Sequence, residues 1–542
     1  MGLRRRYPGL LLVVAAAWLP AANAAVEVEL RLLAPDAVEV AYTLPPQCQA
    51  LAFIKNGEEG RATRALWQPA GTAAAGADQL SRGNDPAAVL RFRVPAATRQ
   101  PGYPAAFPMG QAIYVHLSNY AVADSCGKVA YRLSAPGVAV NGRAFGGSAM
   151  AQSGDDAALL LEAPPRQHGS AAPDHFDPRL PAAAVAQIRK VADGTADYLR
   201  QALPGARFTR PIVAATVASE PGGPNIGGDA ADVLRLTLFN WPANPGPAEE
   251  AKVTLLVSHE FSHRFQLRDA VDTYPDARLI HEGGAEFLRW MTSVQRGWMT
   301  PAQAADDLDR ALAECILATD QQSWRALTPE YIGRNWLAYK CGLPAYVYTL
   351  AARHGRGTAM ARVDGFYTQL RRGAKPDFGH ALECGAAAAC RAGSLAALLE
   401  ADGPMERQWT ALLRRSGLAT PQPPTQAQRD AMVLKALVKL MKDDCGGRSG
   451  TTPTPGSVIF DGMKSCKTFT RDQEATSIEG RPLFGDAATG QAMTAACNAR
   501  HQLVLGLKDG GTLAVPCAEP YRMREAFYRA DITKILAALG RK

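Results

Sequence analysis

The segment His259-Glu260-Phe261-Ser262-His263 holds two imidazoles four residues apart, with a carboxylate directly after the first. On a helix, residues at i and i+4 share a face, so both rings can meet one ion. Zinc suits imidazole nitrogen, and two histidines with one carboxylate leave its fourth position open to water. Glu260 turns toward the side where that water would sit, which suits a general base and not a ligand. Chance gives a His-Glu-x-x-His arrangement only about 0.006 times in a chain of this composition. After His263 come 18 residues and then Glu282, within Leu279-Ile280-His281-Glu282-Gly283-Gly284-Ala285-Glu286. Asp269 to Pro275 reads as a loop, so Glu282 is expected on the next helix, facing back. Glu286, one turn later, shares that face and can accept a hydrogen bond from the far nitrogen of a ligand histidine. Gly283 and Gly284 are poor helix formers, and their presence predicts close approach of helices beside the site. His281 points about 100° away from Glu282 on a regular helix, and a rim or structural role is expected for it.

The spacing and the Glu-Gly-x-Ala-Glu run resemble the gluzincins, the zinc peptidases that include thermolysin, the aminopeptidase N family and the glycyl aminopeptidase family. On that resemblance His259, His263 and Glu282 are the ligands of one zinc ion per chain and Glu260 is the base. The match covers about 30 residues tightly and the region 175–360 loosely. Those families also hold the oxyanion of the tetrahedral intermediate with a tyrosine followed two residues later by Lys-Gly. The nearest match is Tyr339-Lys340-Cys341-Gly342, 57 residues past Glu282, with cysteine in place of that lysine. The resemblance assigns Tyr339 as the stabilising phenol, with Tyr346 and Tyr348 as rivals. It implies a zinc metallopeptidase acting on a peptide or protein substrate. Aminopeptidase N enzymes anchor the substrate amino terminus with a glutamate in a Gly-x-Met-Glu-Asn strand, and this chain has no such segment. Asp229 or Asp232 could replace that anchor. The strand Val233–Phe239 could instead take an extended peptide by edge pairing. Endopeptidase or mixed activity is therefore expected, with an aminopeptidase as the first alternative. A peptide-binding protein that holds zinc without turnover is the second.

The elements that must position these groups are legible in hydrophobic pattern. Val26, Val28, Leu30 and Leu32 alternate with polar residues, and similar short runs recur to Phe145, which predicts a β-sandwich over 25–145. Residues 146–175 are rich in Gly, Ala, Ser and Pro and read as a boundary. A catalytic domain follows over 155–419, mixed at first and then mainly helical, with a thermolysin-like fold implied by the resemblance. Pro245 and Pro247 punctuate the start of the helix carrying His259, and Glu249 and Glu250 fall in its first turn. Thr420-Pro421-Gln422-Pro423-Pro424-Thr425 reads as a linker. The C-terminal part, 426–542, is α+β and resembles the second half of bacterial PDZ domains. Its Ile478-Glu479-Gly480-Arg481-Pro482-Leu483 strand precedes a helix and a hairpin around Asp509-Gly510-Gly511. The expected fold class is thus multidomain α+β.

The first 24 residues have the layout of a secretory signal peptide, with Arg4-Arg5-Arg6, an apolar stretch to Leu19, and Ala22-Asn23-Ala24 at the cleavage site. Export to the periplasm or medium follows, and no run is long enough to span a membrane stably. The ten cysteines divide as two, four and four among the three domains, the even counts of an oxidised protein. Cys48–Cys126 follows from that division, while each group of four allows three pairings. Net charge is +8, part of it in the signal segment, with no dense basic run elsewhere. No nucleic-acid partner is expected.

Overall fold

The computed structural model describes residues 26–540 other than 35, 71–73, 77, 83–88, 101–103, 155, 221, 320, 354–356, 385–392 and 520. The segment read as a signal peptide and Cys390 therefore lie outside the described residues. The chain is multidomain α+β, β-rich at its N-terminal end and largely helical beyond, and it divides into two compact units. One comprises the chain up to Ala182 with Arg210–Asn244, and the other Ala183–Thr209 with Pro245–Lys542.

The first unit is built on a mixed ten-stranded sheet. Its main strands are β1 (Val26–Ala34), β2 (Ala37–Thr43), β3 (Gln68–Ala70), β4 (Val89–Pro95), β5 (Ala106–Pro108), β6 (Ala112–His116), β7 (Val129–Val140), β8 (Arg143–Met150) and β9 (Ala157–Leu161). They run in the order β3-β4-β2-β1-β7-β9-β6-β5, with β8 paired to β7. Alternation in the sequence becomes alternation in burial along β4, where Leu90, Phe92 and Val94 point into the core. Two features depart from the expected sandwich over 25–145. Among the described residues a small three-stranded sheet, not a second large one, accompanies the ten-stranded sheet. The proposed boundary at 146–175 is also crossed by pairing, since β8 and β9 both hydrogen-bond to β7. Gly146, Gly147 and Ser148 look like linker residues, but the neighbouring strand supplies their order.

β6 explains why a later segment joins this unit. It is buried on both faces, with Ile113 and Val115 in one core and Ala112 and Tyr114 in another. The second core also contains Ile212, Ala214 and Val233. These belong to a four-stranded sheet in which β10 (Ile212–Ala218) lies parallel to β12 (Val233–Phe239), and β11 (Asn225–Ala230) forms the antiparallel edge, so Val233–Phe239 is paired on both sides and is not the free edge expected for pairing with a peptide.

The second unit carries the helices α1 (Ala182–Ala202, from Ala183 onward), α2 (Pro247–His263), α3 (Gly284–Gln295), α4 (Pro301–Thr319), α5 (Leu337–Ala351) and α6 (Ala359–Arg371). Their shared core includes Phe287, Trp290, Tyr346, Tyr367 and Trp409, all at most 1% exposed. Apolar burial of this extent is the main stabilising term for the helical part. Further on, α7 (Gln426–Asp444) starts at a capping box in which Thr425 and Gln428 satisfy each other's backbone N–H groups. The segment read as a linker is in part a strand, Ala419–Gln422, paired with Phe527–Ala530. The expected hairpin is present as Gln502–Leu507 with Thr512–Pro516. Disulfides Cys445–Cys466 and Cys497–Cys517 brace this region, Cys48–Cys126 closes the first unit, and Cys315–Cys341 joins α4 to α5. Cys384 is also in a disulfide, its partner lying outside the described residues. No helix among the described residues is long and apolar enough to cross a membrane.

Candidate metal centre

Helix α2 is set by its own sequence. Gly246 precedes Pro247 at the first helical position, and the Glu249 carboxylate accepts a hydrogen bond from the Gly246 N–H at 3.0 Å. Val253, Val257 and Phe261 form its buried stripe. Ser258 and Ser262 are also buried, and each hydroxyl donates to the carbonyl four residues earlier. The helix ends on His263.

Glu282 does not sit in a regular helix, as the sequence led one to expect. Leu279–Gly283 forms a π-helical turn that runs directly into α3. Such a turn holds one more residue than an α-turn and recurs at functional sites. Its carbonyls reach side chains: Ile280 accepts from the Tyr346 hydroxyl at 3.1 Å and His281 from Gln266 Nε2 at 2.8 Å. The two glycines account for the turn's place. A Cβ on Gly342 of α5 would lie 2.2 Å from Gly283 Cα, so backbone meets backbone there and only glycine fits. A Cβ on Gly284 would collide with Gln266 Nε2 at 2.6 Å. The close approach predicted from the glycine pair is thus made chiefly by α5.

The sequence-derived residues His259, His263 and Glu282 converge. Nε2 of His259 lies 3.1 Å from Nε2 of His263, and Glu282 Oε2 lies 3.4 and 3.3 Å from these two nitrogens. A tetrahedral zinc with bonds of about 2.0–2.1 Å puts its donors about 3.3 Å apart. Each ring is held from behind. Glu286 Oε1 lies 2.8 Å from His259 Nδ1, and Gln266 Oε1 lies 2.8 Å from His263 Nδ1. Both partners accept, so both Nδ1 atoms carry a proton and both Nε2 atoms are turned toward the same point. Glu282 Oε2 is buried there and has no hydrogen-bond partner. Three converging electron-pair donors without a positive charge between them repel one another, and a cation removes that repulsion. The donor set therefore fits a zinc ion. A second cluster among the described residues, Asp444 with Cys445 and Cys466, is closed by its own disulfide.

The electrostatics agree with the geometry. Burial opposes charge on His259, but Glu282, Glu286 and Glu260 outweigh it and push the ring up to about 10. Burial likewise works to raise Glu282, and the two imidazoles overcome it and hold that carboxyl well below its usual range. In the metal-free protein a proton on His259 thus stands where a cation would.

Glu286 is anchored more deeply than the sequence suggested. Arg289 Nε donates to Glu286 Oε2 at 2.8 Å, and Arg289 Nη1 donates to Asp307 Oδ2 of α4 at 3.0 Å. Asp307 is held in turn by Arg310. Burial would raise the Glu286 carboxyl, but Arg289 and His259 bring it down to about 2. Neither this chain nor Gln266 was anticipated. The available signal was polar residues at i+3 from a site residue, Gln266 from His263 and Arg289 from Glu286, within otherwise apolar stretches. Arg289→Met is expected to weaken zinc binding about tenfold, because Glu286 loses the donor that orients it. It should also lower stability by about 3–5 kcal/mol, since two carboxylates stay buried without their shared cation. Chelator competition and thermal unfolding measure both. Wild-type values in both would remove Arg289 from the support of the site.

Tyr339 stacks on the His259 ring, centroids 5.5 Å apart and planes at 23°. Burial raises its phenol far above the ordinary value, reinforced by the charge of Glu282, a hydrogen bond to it, and Glu260. The phenol is therefore a donor at any physiological pH. The rivals lie in the core: Tyr346 bonds Ile280 O, and Tyr348 is fully buried against Trp409. The cysteine that departs from the family pattern has a part here. Cys341, two residues from Tyr339, is bonded to Cys315, so α4 pins the start of α5. Glu260 is half-buried, and its charge is felt by both His259 and Tyr339. His281, for which a rim or structural role was expected, packs against a ligand histidine. Its ring stacks on His263 at 4.2 Å and 23°, and burial with the neighbouring His263 pushes it down to about 3. The wider turn is the physical reason, since the 100° step assumed a regular helix. In the first unit, Asp229 accepts from the Tyr114 hydroxyl at 2.9 Å and from Arg235 Nε at 2.8 Å.

No protein-family model matches this chain, and no curated protein matches it in sequence. Among solved structures it is similar to an aminopeptidase N family protein from Idiomarina loihiensis, with a TM-score of 0.53 and 12% identity over 95% of this chain and 99% of that one. It also aligns with native yeast LTA4 hydrolase at a TM-score of 0.36 and 11% identity, over 77% of this chain and 71% of that one. At such identities the first likeness establishes the fold: a multidomain α+β architecture of the kind seen in that aminopeptidase N family protein.

Proposed function

We propose that this chain is an exported, zinc-dependent metallopeptidase of the gluzincin type, with His259, His263 and Glu282 as the ligands of one zinc ion. The observation that carries the reading is the convergence of three donor atoms at tetrahedral spacing, with Glu282 Oε2 buried and lacking any other partner. The likeness of fold to an aminopeptidase N family protein supports it. Zinc, when bound, supplies Lewis acidity toward a carbonyl oxygen and a water molecule. Glu260 takes the proton of the attacking water as the C–O bond forms and returns it to the leaving amine when the C–N bond then breaks. Tyr339 donates its phenolic hydrogen to the oxygen on which negative charge develops. Glu286 and Gln266 keep both imidazoles in the tautomer that presents Nε2.

The proposed specificity is endopeptidase or mixed. An aminopeptidase needs a carboxylate free to meet the substrate ammonium. The bonds of Asp229 to Tyr114 and Arg235 count against that residue in the role. Export is supported by the disulfides, which form and persist outside the reducing cytoplasm. The test is cleavage of one peptide series with free and acetylated amino termini by the zinc-loaded protein. Acetylation is expected to slow cleavage less than about tenfold. Removal of single residues from free peptides, with acetylated ones resistant, would establish the aminopeptidase alternative instead.

A further inference from the structure

One aromatic side chain beside this site is left largely open to solvent. Trp336 is 59% exposed, the only aromatic among the exposed large hydrophobics of the described residues. A lone exposed apolar residue needs no explanation, but the backbone of this one does. Trp336 has φ +55° and ψ +33°, the left-handed region, where a bulky side chain is a true outlier. The other described non-glycine residues with positive φ are Asn141, Asn240, Gln321, Glu479 and His501, which are polar. Trp336 stands at the N-cap of α5, where Ser, Thr, Asp or Asn would accept a hydrogen bond from the first turn and an indole accepts none. Conformation and cap chemistry both disfavour tryptophan there, and its exposed ring gains little by burial.

What the strained position achieves is placement. The Trp336 ring lies 5.3 Å from Tyr339 at 54°, and Tyr339 lies on His259. Its carbonyl accepts from the N–H groups of Tyr339 and Lys340 at 3.2 and 3.1 Å, so the residue that opens α5 and the phenol are set by the same turn. An indole face is thus held open to solvent one ring away from the phenol and two from a metal-binding imidazole. Strain kept at such a place is a marker of function.

We propose that Trp336 is a specificity-determining residue, an aromatic platform that receives a large apolar or aromatic side chain next to the scissile bond. The proposal rests on the peptidase reading above. Such a side chain buries its surface against the indole face and excludes water from the Tyr339 hydroxyl. A peptide with only alanine at those positions covers little of the ring.

The test compares peptides carrying Phe or Leu beside the cleaved bond with alanine analogues. Trp336→Ala is expected to lower kcat/KM about tenfold or more for the former and less than about twofold for the latter. Trp336→Phe should keep most of the preference. Trp336→Gly, which suits the backbone angle, should lose the preference without loss of thermal stability or zinc content. A binding readout separates this inference from the peptidase reading. Tryptophan emission of Glu260→Gln, compared with Glu260→Gln/Trp336→Phe, should change on titration with the Phe peptide and not with the alanine one. Equal losses on both peptide classes, or no loss, or an emission signal indifferent to the Phe peptide, would overturn the role of Trp336. If the wild-type protein cleaves no peptide, the peptidase reading fails, and the emission titration alone decides whether Trp336 binds the side chain.

Discussion

Replacement of Glu260 by glutamine is expected to leave zinc content unchanged and to lower peptide turnover by about 10² or more. The amide preserves the shape of the side chain but accepts no proton, so attack by water loses its base. Glu260 is absent from the converging donors, which are His259, His263 and Glu282, so metal retention and turnover should separate in this one variant. That separation also distinguishes an enzyme from a protein that binds zinc and peptide without chemistry. A variant that hydrolyses peptides at the wild-type rate would exclude Glu260 from the mechanism. A wild-type protein that holds zinc, binds peptide and never cleaves it would favour the binding protein.

Zinc loss is the second large effect. Glu282→Ala and His263→Ala should each lose most of the about one equivalent of zinc expected in the purified protein, as read by elemental analysis after dialysis. The metal-free site carries a proton on His259, whose pKa is pushed up to about 10, and zinc needs that imidazole neutral. Zinc uptake at neutral pH should therefore release about one proton per ion from this site. The sign follows directly. With the folded metal-free pKa above ambient pH, apparent zinc affinity rises about tenfold per pH unit until pH approaches 10, then levels. Calorimetric titration in buffers of different ionisation enthalpy measures the release. Full zinc occupancy in both variants would contradict the donor set, and uptake without proton release would contradict the proton on His259.

Much of this site was legible in the chain because helical periodicity converts spacing into shared faces. His259 and His263 needed only the 3.6-residue repeat to point together, and Glu249 with Pro247 marked where their helix begins. Glu286 was legible for the same reason, being one turn from Glu282. Disulfide counting reached Cys48–Cys126 but left each group of four open, since pairing depends on which helices meet. Tertiary structure decided the rest. The π-turn at Leu279–Gly283 packs against Gly342, 59 positions from Gly283, and no local pattern encodes that contact. Beside it the His281 ring stacks on His263. The chain from Glu286 through Arg289 to Asp307 required α4 to dock, and Tyr339 reached His259 only where Cys315 and the glycine contact hold α5. Composition likewise read 146–175 as a boundary, whereas the long strand β7 orders part of it as β8 and β9. The physical division is one of range. Residues within about a turn or two are related by backbone geometry alone, while relations across helices depend on packing that only the folded chain supplies.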